Sequence, residues 1–473
     1  MGKVAKTVVI ASLSAMVVAA VPLATAAVVL GESSLYEDTY LAGLKLKRDL
    51  LKQKDRKRLI FIGGSSLPFG LRSELIEKEL PEYHVVNFGL YGALGTECML
   101  DLALPYIQDE DVVLLSFEQN KQTLSSYFSG HTFLQAANDC KDAFFDLDER
   151  DRNAMLGAGV SFAQEKFSYW SSASKPQGDG AYQKRYFEAH GDLVYDGASS
   201  NAMAERYDPN QLVSFDISWW EKSFIEEINH FIDEAQKKGV KTYYWFAPIN
   251  QKSLQNLYEI DDYCISLEEK LKCPILGDPH ASVFDEGYFF DSNFHLNMAG
   301  ANNNTRRFVR DYKAELGISS KTNIEVMDIP PAIVPEVEEG DNSDRDCFVI
   351  ESASDHAVVT GLSEDGRKRN GLTLPSTEKG LPITEFGAST FQNNSVIESI
   401  RLQNNLRAIP DYAFSGATNL KRIELTSLNP STYQIGSHLL DGTDADIYVS
   451  KEAVGRYRSH YFFSAYSSRI HGY

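Results

Sequence analysis

Two short segments of the 473-residue chain hold side chains of the kinds that carry out nucleophilic chemistry. Gly64-Ser65-Ser66-Leu67-Pro68-Phe69-Gly70 follows directly on an apolar run. A serine on a strand-to-helix turn is lifted out of its sheet, with its Oγ exposed and backbone N–H groups aimed into the space above it. Ser66 is the candidate nucleophile. Phe290-Asp291-Ser292-Asn293-Phe294-His295-Leu296-Asn297 supplies the candidate base, His295, at the opening of a helix. A carboxylate four residues earlier, Asp291, can orient that imidazole and stabilise its charged form during proton transfer. Each has a plainer reading: the serines as a helix cap, the histidine as an ordinary hydrogen-bonded residue. Asp278-Pro279-His280 is a rival dyad. With no CxxC, no HExxH and no paired Cys/His spacing, neither a metal nor a cofactor is expected.

The elements that must position these residues alternate. Residues 58–64 (RLIFIGG), 84–88, 111–118 (DVVLLSFE) and 240–248 (VKTYYWFAP) are apolar runs typical of buried strands. Helical patterns intervene at about 73–80, 95–107 and 215–238. Such alternation predicts an α/β fold, a parallel sheet covered on both faces. Residues from about 121 to 214 break it, and read as an aromatic-rich insertion beside the site.

At the serine and histidine segments the chain resembles the SGNH (GDSL-type) hydrolase superfamily. Its first block is G-D-S-x-x-x-G, which GSSLPFG matches with Ser66 in the serine position and Ser65 in place of aspartate. Its second is a glycine after a strand, for which Asn87-Phe88-Gly89-Leu90-Tyr91-Gly92 offers Gly92 in the better register. Its last is an Asp and a His before the C-terminal helix, here Asp291 and His295. The resemblance implies a flavodoxin-like parallel sheet flanked by helices. It also implies an oxyanion hole built from the Ser66 and Gly92 N–H groups with Asn120 or Gln119. Three departures stand out: the block aspartate is missing, D-x-x-H has become D-x-x-x-H, and G-x-N-D is replaced by Ser116-Phe117-Glu118-Gln119-Asn120. Glu118 would repel an oxyanion. The chain order does not fit α/β-hydrolases, and there is no G-x-S-x-G.

The C-terminal quarter repeats itself. Phe386 and Ile409, Phe391 and Phe414, Ile397 and Leu420, Ile400 and Ile423, and Leu402 and Leu425 each stand 23 residues apart. Each unit would bury its apolar edge only by stacking on its neighbours. Ala413-Phe414 and Leu420-x-x-Ile423-x-Leu425 resemble the BspA-type leucine-rich repeat, whose modules usually mediate surface interactions. Residues 317–346 are Pro-rich, acidic and free of aromatics, as an exposed linker would be.

Lys3 and Lys6 precede an uncharged, mostly apolar run at 7–30, long enough to span a bilayer at ~1.5 Å per residue. Ala24-Thr25-Ala26 equally suits signal-peptide cleavage. Both readings export the bulk of the chain, membrane-anchored or secreted. A net charge of −20, from 66 acidic and 46 basic residues, argues against nucleic acid as a partner. Five cysteines exclude a disulfide-dense scaffold, although Cys264 and Cys273 could close a short loop. The expected organisation is an anchor or signal peptide (1–31), a helical stalk (32–55), an SGNH-like domain (56–316), a linker (317–346) and a repeat module with a cap (347–473). The expected function is an exported ester hydrolase or O-acyl transferase acting on acyl esters, on the resemblance those of envelope or extracellular glycans. The competing expectation is a catalytically silent surface protein that binds a partner through its repeats.

Overall fold

The computed structural model of the chain describes residues 31–178, 180–195, 207–208, 211–319, 321–330, 340–353, 356–427, 430, 434–435, 438–459 and 463–473. The apolar run at 7–30 lies outside them. No helix among the described residues is long and apolar enough to cross a membrane.

The four apolar runs become strands β1 (Lys57–Gly63), β2 (Tyr83–Gly89), β3 (Val112–Ser116) and β4 (Lys241–Tyr244), all parallel, in the order β2-β1-β3-β4. A parallel bridge from Tyr244 to Ile275 adds a fifth position beyond β4. That order is the flavodoxin-like one, which opens a crevice beyond the carboxyl ends of β1 and β3. The strands read as continuous apolar runs because both faces are covered. Ile60, Ile62, Phe88 and Leu115 pack in one layer with the helices Thr96–Ala103 and Lys222–Lys237. Leu59, Phe61 and Leu114 pack in the other with Phe308 and Tyr312 of the helix Met298–Glu315. The helix expected from 215 begins only at Lys222, because Asp216 caps a separate short turn at Ile217–Trp219.

The expected stalk is part of this core. Gly43–Leu51 is a helix whose Leu44, Leu50 and Leu51 join the first apolar layer. Its Lys47, 1% exposed, donates to Asn87 O (3.1 Å) and Gly191 O (2.8 Å). Arg48, equally buried, pairs with Asp142 and Asp146 of the insertion. Two cations of the expected stalk, Lys47 and Arg48, are thus buried against core partners, while Lys45 and Lys52 stay at the surface.

The insertion contains the helices Gly130–Ala136 and Glu149–Ser171 and then returns across the edge of the sheet. Polar contacts fix that return. Asp192 accepts from Ser73 Oγ (2.7 Å) and Asn87 Nδ2 (2.8 Å), and Glu77 contacts both His84 (2.7 Å) and His190 (3.2 Å). The first part of the expected linker is also docked. Asn302 and Asn303 donate to Glu325 O and Met327 O, and Ile324 is buried. All five cysteines are free thiols, so Cys264 and Cys273 form no bridge. Both lie in or against the first apolar layer, where burial pushes each thiol up to about 12.

In the repeat region, two parallel ladders enclose one core. Gly371–Thr373, Ser399–Leu402, Arg422–Leu425, Asp446–Val449 and Ile470–Gly472 form the first. Ala357–Leu362, Leu381–Phe386, Ala408–Ile409 and Gln434–Ile435 form the second. The register reproduces the 23-residue period: Ile400 lies on Ile423, Leu402 on Leu425, and Glu385 on Ala408. Between the ladders Phe391 stacks on Phe414, with ring centroids 5.6 Å apart.

Candidate active site

β1 ends at Gly63, and the short helix Ser66–Gly70 begins three residues later. The residue between them that faces the histidine is Ser65. Its Oγ lies 2.7 Å from His295 Nε2. Ser66, the expected nucleophile, opens the helix with its own hydroxyl turned inward, 1% exposed and without a hydrogen-bond partner. The serine facing the imidazole is thus one residue earlier than the motif reading placed it. With Ser65 in the serine position, the residue before it is Gly64. The sequence -Gly-Gly-Ser-Ser- permits both registers, and only the course of the turn decides between them.

His295 is held from three sides. Its Nδ1 lies 2.8 Å from Asp291 Oδ1, so the longer D-x-x-x-H spacing does reach. It reaches because residues 289–296 fold back on themselves: Phe290 N donates to His295 O (2.8 Å), Ser292 Oγ accepts from His295 N (3.1 Å), and Phe289 pairs with Leu296. Asn297 then caps the helix Met298–Glu315 through Gly300 N. The Phe69 ring lies flat on the imidazole, with centroids 4.2 Å apart at 8°. With Asp291 accepting from Nδ1–H, Nε2 is left as the acceptor for a serine proton.

Tyr182, from the insertion, completes the cluster and has no counterpart in the sequence motifs. Its hydroxyl donates to Asp291 Oδ2 (2.7 Å) and lies 3.0 Å from His295 Nδ1. Burial first, and then the Asp291 charge, raise the Tyr182 phenol well above its usual range, so it is the donor in this pair. The only sequence signal for it was the aromatic excess of the insertion.

The expected oxyanion donors fare differently. Ser66 N–H donates to Glu118 Oε1 (2.9 Å), which also lies 3.4 Å from Ser65 Oγ. Gln119 faces the core instead, donating to Tyr244 OH (3.0 Å) and accepting from Tyr263 OH (2.7 Å). Adjacent residues leaving a strand point to opposite sides, so Glu118 in the crevice requires Gln119 in the core. Asn120 accepts from Thr123 N (2.9 Å) and reaches only Glu118 Oε2, at 3.5 Å. Gly92 begins a short turn where an added Cβ would touch nothing within 4 Å, and no hydrogen bond joins it to Ser65 or His295. Gly89 is the constrained glycine, since a Cβ there would meet Leu67, Pro68 and Gly64 O within 2.8 Å. A Cβ on Gly64 would come within 2.7 Å of Glu118 Oε1. The absence of a side chain at Gly64 therefore leaves the space that the Glu118 carboxylate occupies.

The rival His280 is exposed, its ring bonded to Asp261 (2.9 Å), and among the described residues Asp278 accepts only from the His280 backbone N–H (3.0 Å). What the cluster can do chemically is general: a serine hydroxyl, an imidazole and a carboxylate in hydrogen-bonded series form a proton relay for acyl transfer.

Residues 370–468 match the BspA type leucine rich repeat region, in six copies. The C-terminal part of the chain is thus a BspA-type repeat region, and the preceding part is α/β with a parallel sheet flanked by helices. No curated protein sequence matches the chain. Among solved structures, the T. pallidum leucine-rich repeat protein TpLRR is similar at 19% identity and a TM-score of 0.17, over 22% of this chain and 62% of its own. Protein YxiM of Bacillus subtilis is similar at 13% identity and a TM-score of 0.26, over 57% of this chain and 58% of its own. The chain spans less than two thirds of the length of either.

Proposed function

We propose that the α/β part of the chain is an SGNH-like serine ester hydrolase or O-acyl transferase, exported and held at or released from the membrane by residues 1–31. The observation that carries this is the series Ser65–His295–Asp291, with contacts of 2.7 and 2.8 Å between three residues 230 and 4 positions apart in the chain. In the reaction, Ser65 Oγ attacks an ester carbonyl carbon as His295 Nε2 takes its proton. His295 then protonates the departing alcohol, leaving an acyl group on Ser65. Water or the hydroxyl of an acceptor, deprotonated by the same imidazole, releases it. Asp291 and Tyr182 hold the imidazole in the tautomer this requires. Ser66 N–H is the oxyanion donor, and losing such a donor typically costs ~10²–10³ in rate. The SGNH resemblance favours acyl esters on cell-envelope or extracellular glycans, with the repeat region holding a protein or surface partner.

Glu118 favours a second reading, a silent α/β domain on a surface-binding protein, because a carboxylate rests against the N–H that an oxyanion would need. A panel of acyl esters, assayed with the wild type and Ser65→Ala, separates the two. Turnover abolished by Ser65→Ala supports the enzyme. No turnover of any ester, with or without a glycan acceptor, leaves the binding protein.

A further inference from the structure

Glu118 leaves the end of β3 and stands at the floor of the site, 7% exposed. Its partners are one backbone N–H (Ser66, 2.9 Å), one hydroxyl (Ser65, 3.4 Å) and one distant amide (Asn120, 3.5 Å). No lysine or arginine among the described residues pairs with it. A carboxylate withdrawn from water is costly unless a cation or a full set of donors meets it, and Glu118 has neither. Gly64 preserves the arrangement, since any side chain there would collide with the carboxylate. Tyr40, close enough to feel both Glu118 and Asp291, has a buried hydroxyl with no hydrogen-bond partner. Its ring packs against those of Tyr91, at 5.9 Å, and Tyr182, at 5.7 Å, the tyrosine that bonds to Asp291. A buried carboxylate with no cation of its own suits a small organic cation.

We propose that Glu118 receives a positively charged acyl group, so that the substrate of the Ser65 site is an aminoacyl ester whose α-ammonium pairs with the Glu118 carboxylate. The proposal rests on the serine acyl-transfer reading and names its acyl donor. An α-ammonium stands one carbon from the ester carbonyl, the spacing that sets it beside a carboxylate already touching Ser65 and Ser66. Pairing draws Glu118 off the Ser66 N–H and frees that donor for the carbonyl oxygen. Ser65 Oγ bonds to the carbonyl carbon while its proton passes to His295. The ester C–O bond breaks as His295 returns the proton to the leaving alcohol oxygen, and the aminoacyl group remains on Ser65. A neutral acyl group brings no such release: it leaves Glu118 unpaired and a negative charge beside the forming oxyanion.

The test compares alanine methyl ester with methyl isobutyrate, in which a methyl replaces the ammonium, and with N-acetylalanine methyl ester. Each rate is divided by that ester's uncatalysed hydroxide rate, and Ser65 is checked with a fluorophosphonate. The wild type is expected to favour the ammonium substrate by about thirtyfold or more, the loss that accompanies truncating a buried charge pair. Glu118→Gln, which keeps the shape, is expected to bring the ratio close to one. A wild-type ratio near one with Ser65 still labelled overturns the aminoacyl inference and spares the serine reading. Absence of both labelling and turnover overturns the two together. The substrate-side comparison in the wild type makes the outcome independent of whether the variant folds.

Discussion

Replacing Tyr182 by Phe tests whether the insertion is part of the catalytic apparatus or a bystander. The substitution removes one oxygen, which donates to Asp291 Oδ2 at 2.7 Å. It keeps the ring, which packs on Phe69 with centroids 5.6 Å apart and on Tyr40 at 5.7 Å. A hydrogen bond to a charged group is worth about 1.5–3 kcal/mol, which converts to roughly 10- to 150-fold if all of it is expressed in the transition state. The contact between Asp291 and His295 at 2.8 Å survives, so the loss must stay well below the ~10⁴ that follows removal of the carboxylate charge in a serine triad. Steady-state ester hydrolysis should show kcat reduced by about 10- to 100-fold with KM nearly unchanged, because the hydroxyl orients the relay and not the substrate. A kcat within twofold of wild type would exclude Tyr182 from the relay. So would a change confined to KM, which would move Tyr182 from the relay to the binding surface.

The two neighbouring serines should part company. Ser65→Ala abolishes turnover, whereas Ser66→Ala removes a buried, unpartnered hydroxyl and leaves kcat within a few-fold, with stability raised by about 1 kcal/mol in thermal melts. Stability should pass through a minimum near pH 7. Burial raises Asp101 to about 7 and Asp151 to about 6, so below pH 7 these carboxyls bind protons more tightly when folded and stability falls as pH rises from about 4. Burial lowers Lys47 to about 7 and Lys166 to about 8, so above pH 7 the unfolded chain holds more protons and stability climbs towards pH 10. Urea midpoints at pH 5, 7 and 9 check this, and a maximum at 7 would contradict it. In the repeat region Phe414→Ala, at a fully buried ring, should cost about 3–5 kcal/mol, read as lost hydrogen-exchange protection across Ser399–Leu402 and Arg422–Leu425.

Much of the frame was legible because it rests on periodicity. The strands of the sheet are apolar on both faces and so appear as unbroken runs. The repeat strands pair at the spacing at which their sequences recur, since stacking repeats forces register and period to coincide. What escaped was contact between distant segments. The segment expected as a stalk is bound to the core because Lys47 meets Asn87 and Gly191, and Arg48 meets Asp142 and Asp146. The histidine and its carboxylate could be named, because four residues of chain can be folded only a few ways. The serine register could not, because Ser65 and Ser66 differ by the path of a single turn. Tyr182 belongs to no motif, and its role follows from an insertion returning across the sheet. Glu118 was legible as a repulsive charge, but its hold on Ser66 N–H was not.

The most direct measurement is to treat the folded protein with a fluorophosphonate and locate the adduct by peptide mass spectrometry. A single adduct on Ser65 is expected, lost in Ser65→Ala and in His295→Ala and retained in Ser66→Ala. An adduct on Ser66, or no adduct on either serine of a correctly folded chain, would contradict the Ser65 assignment.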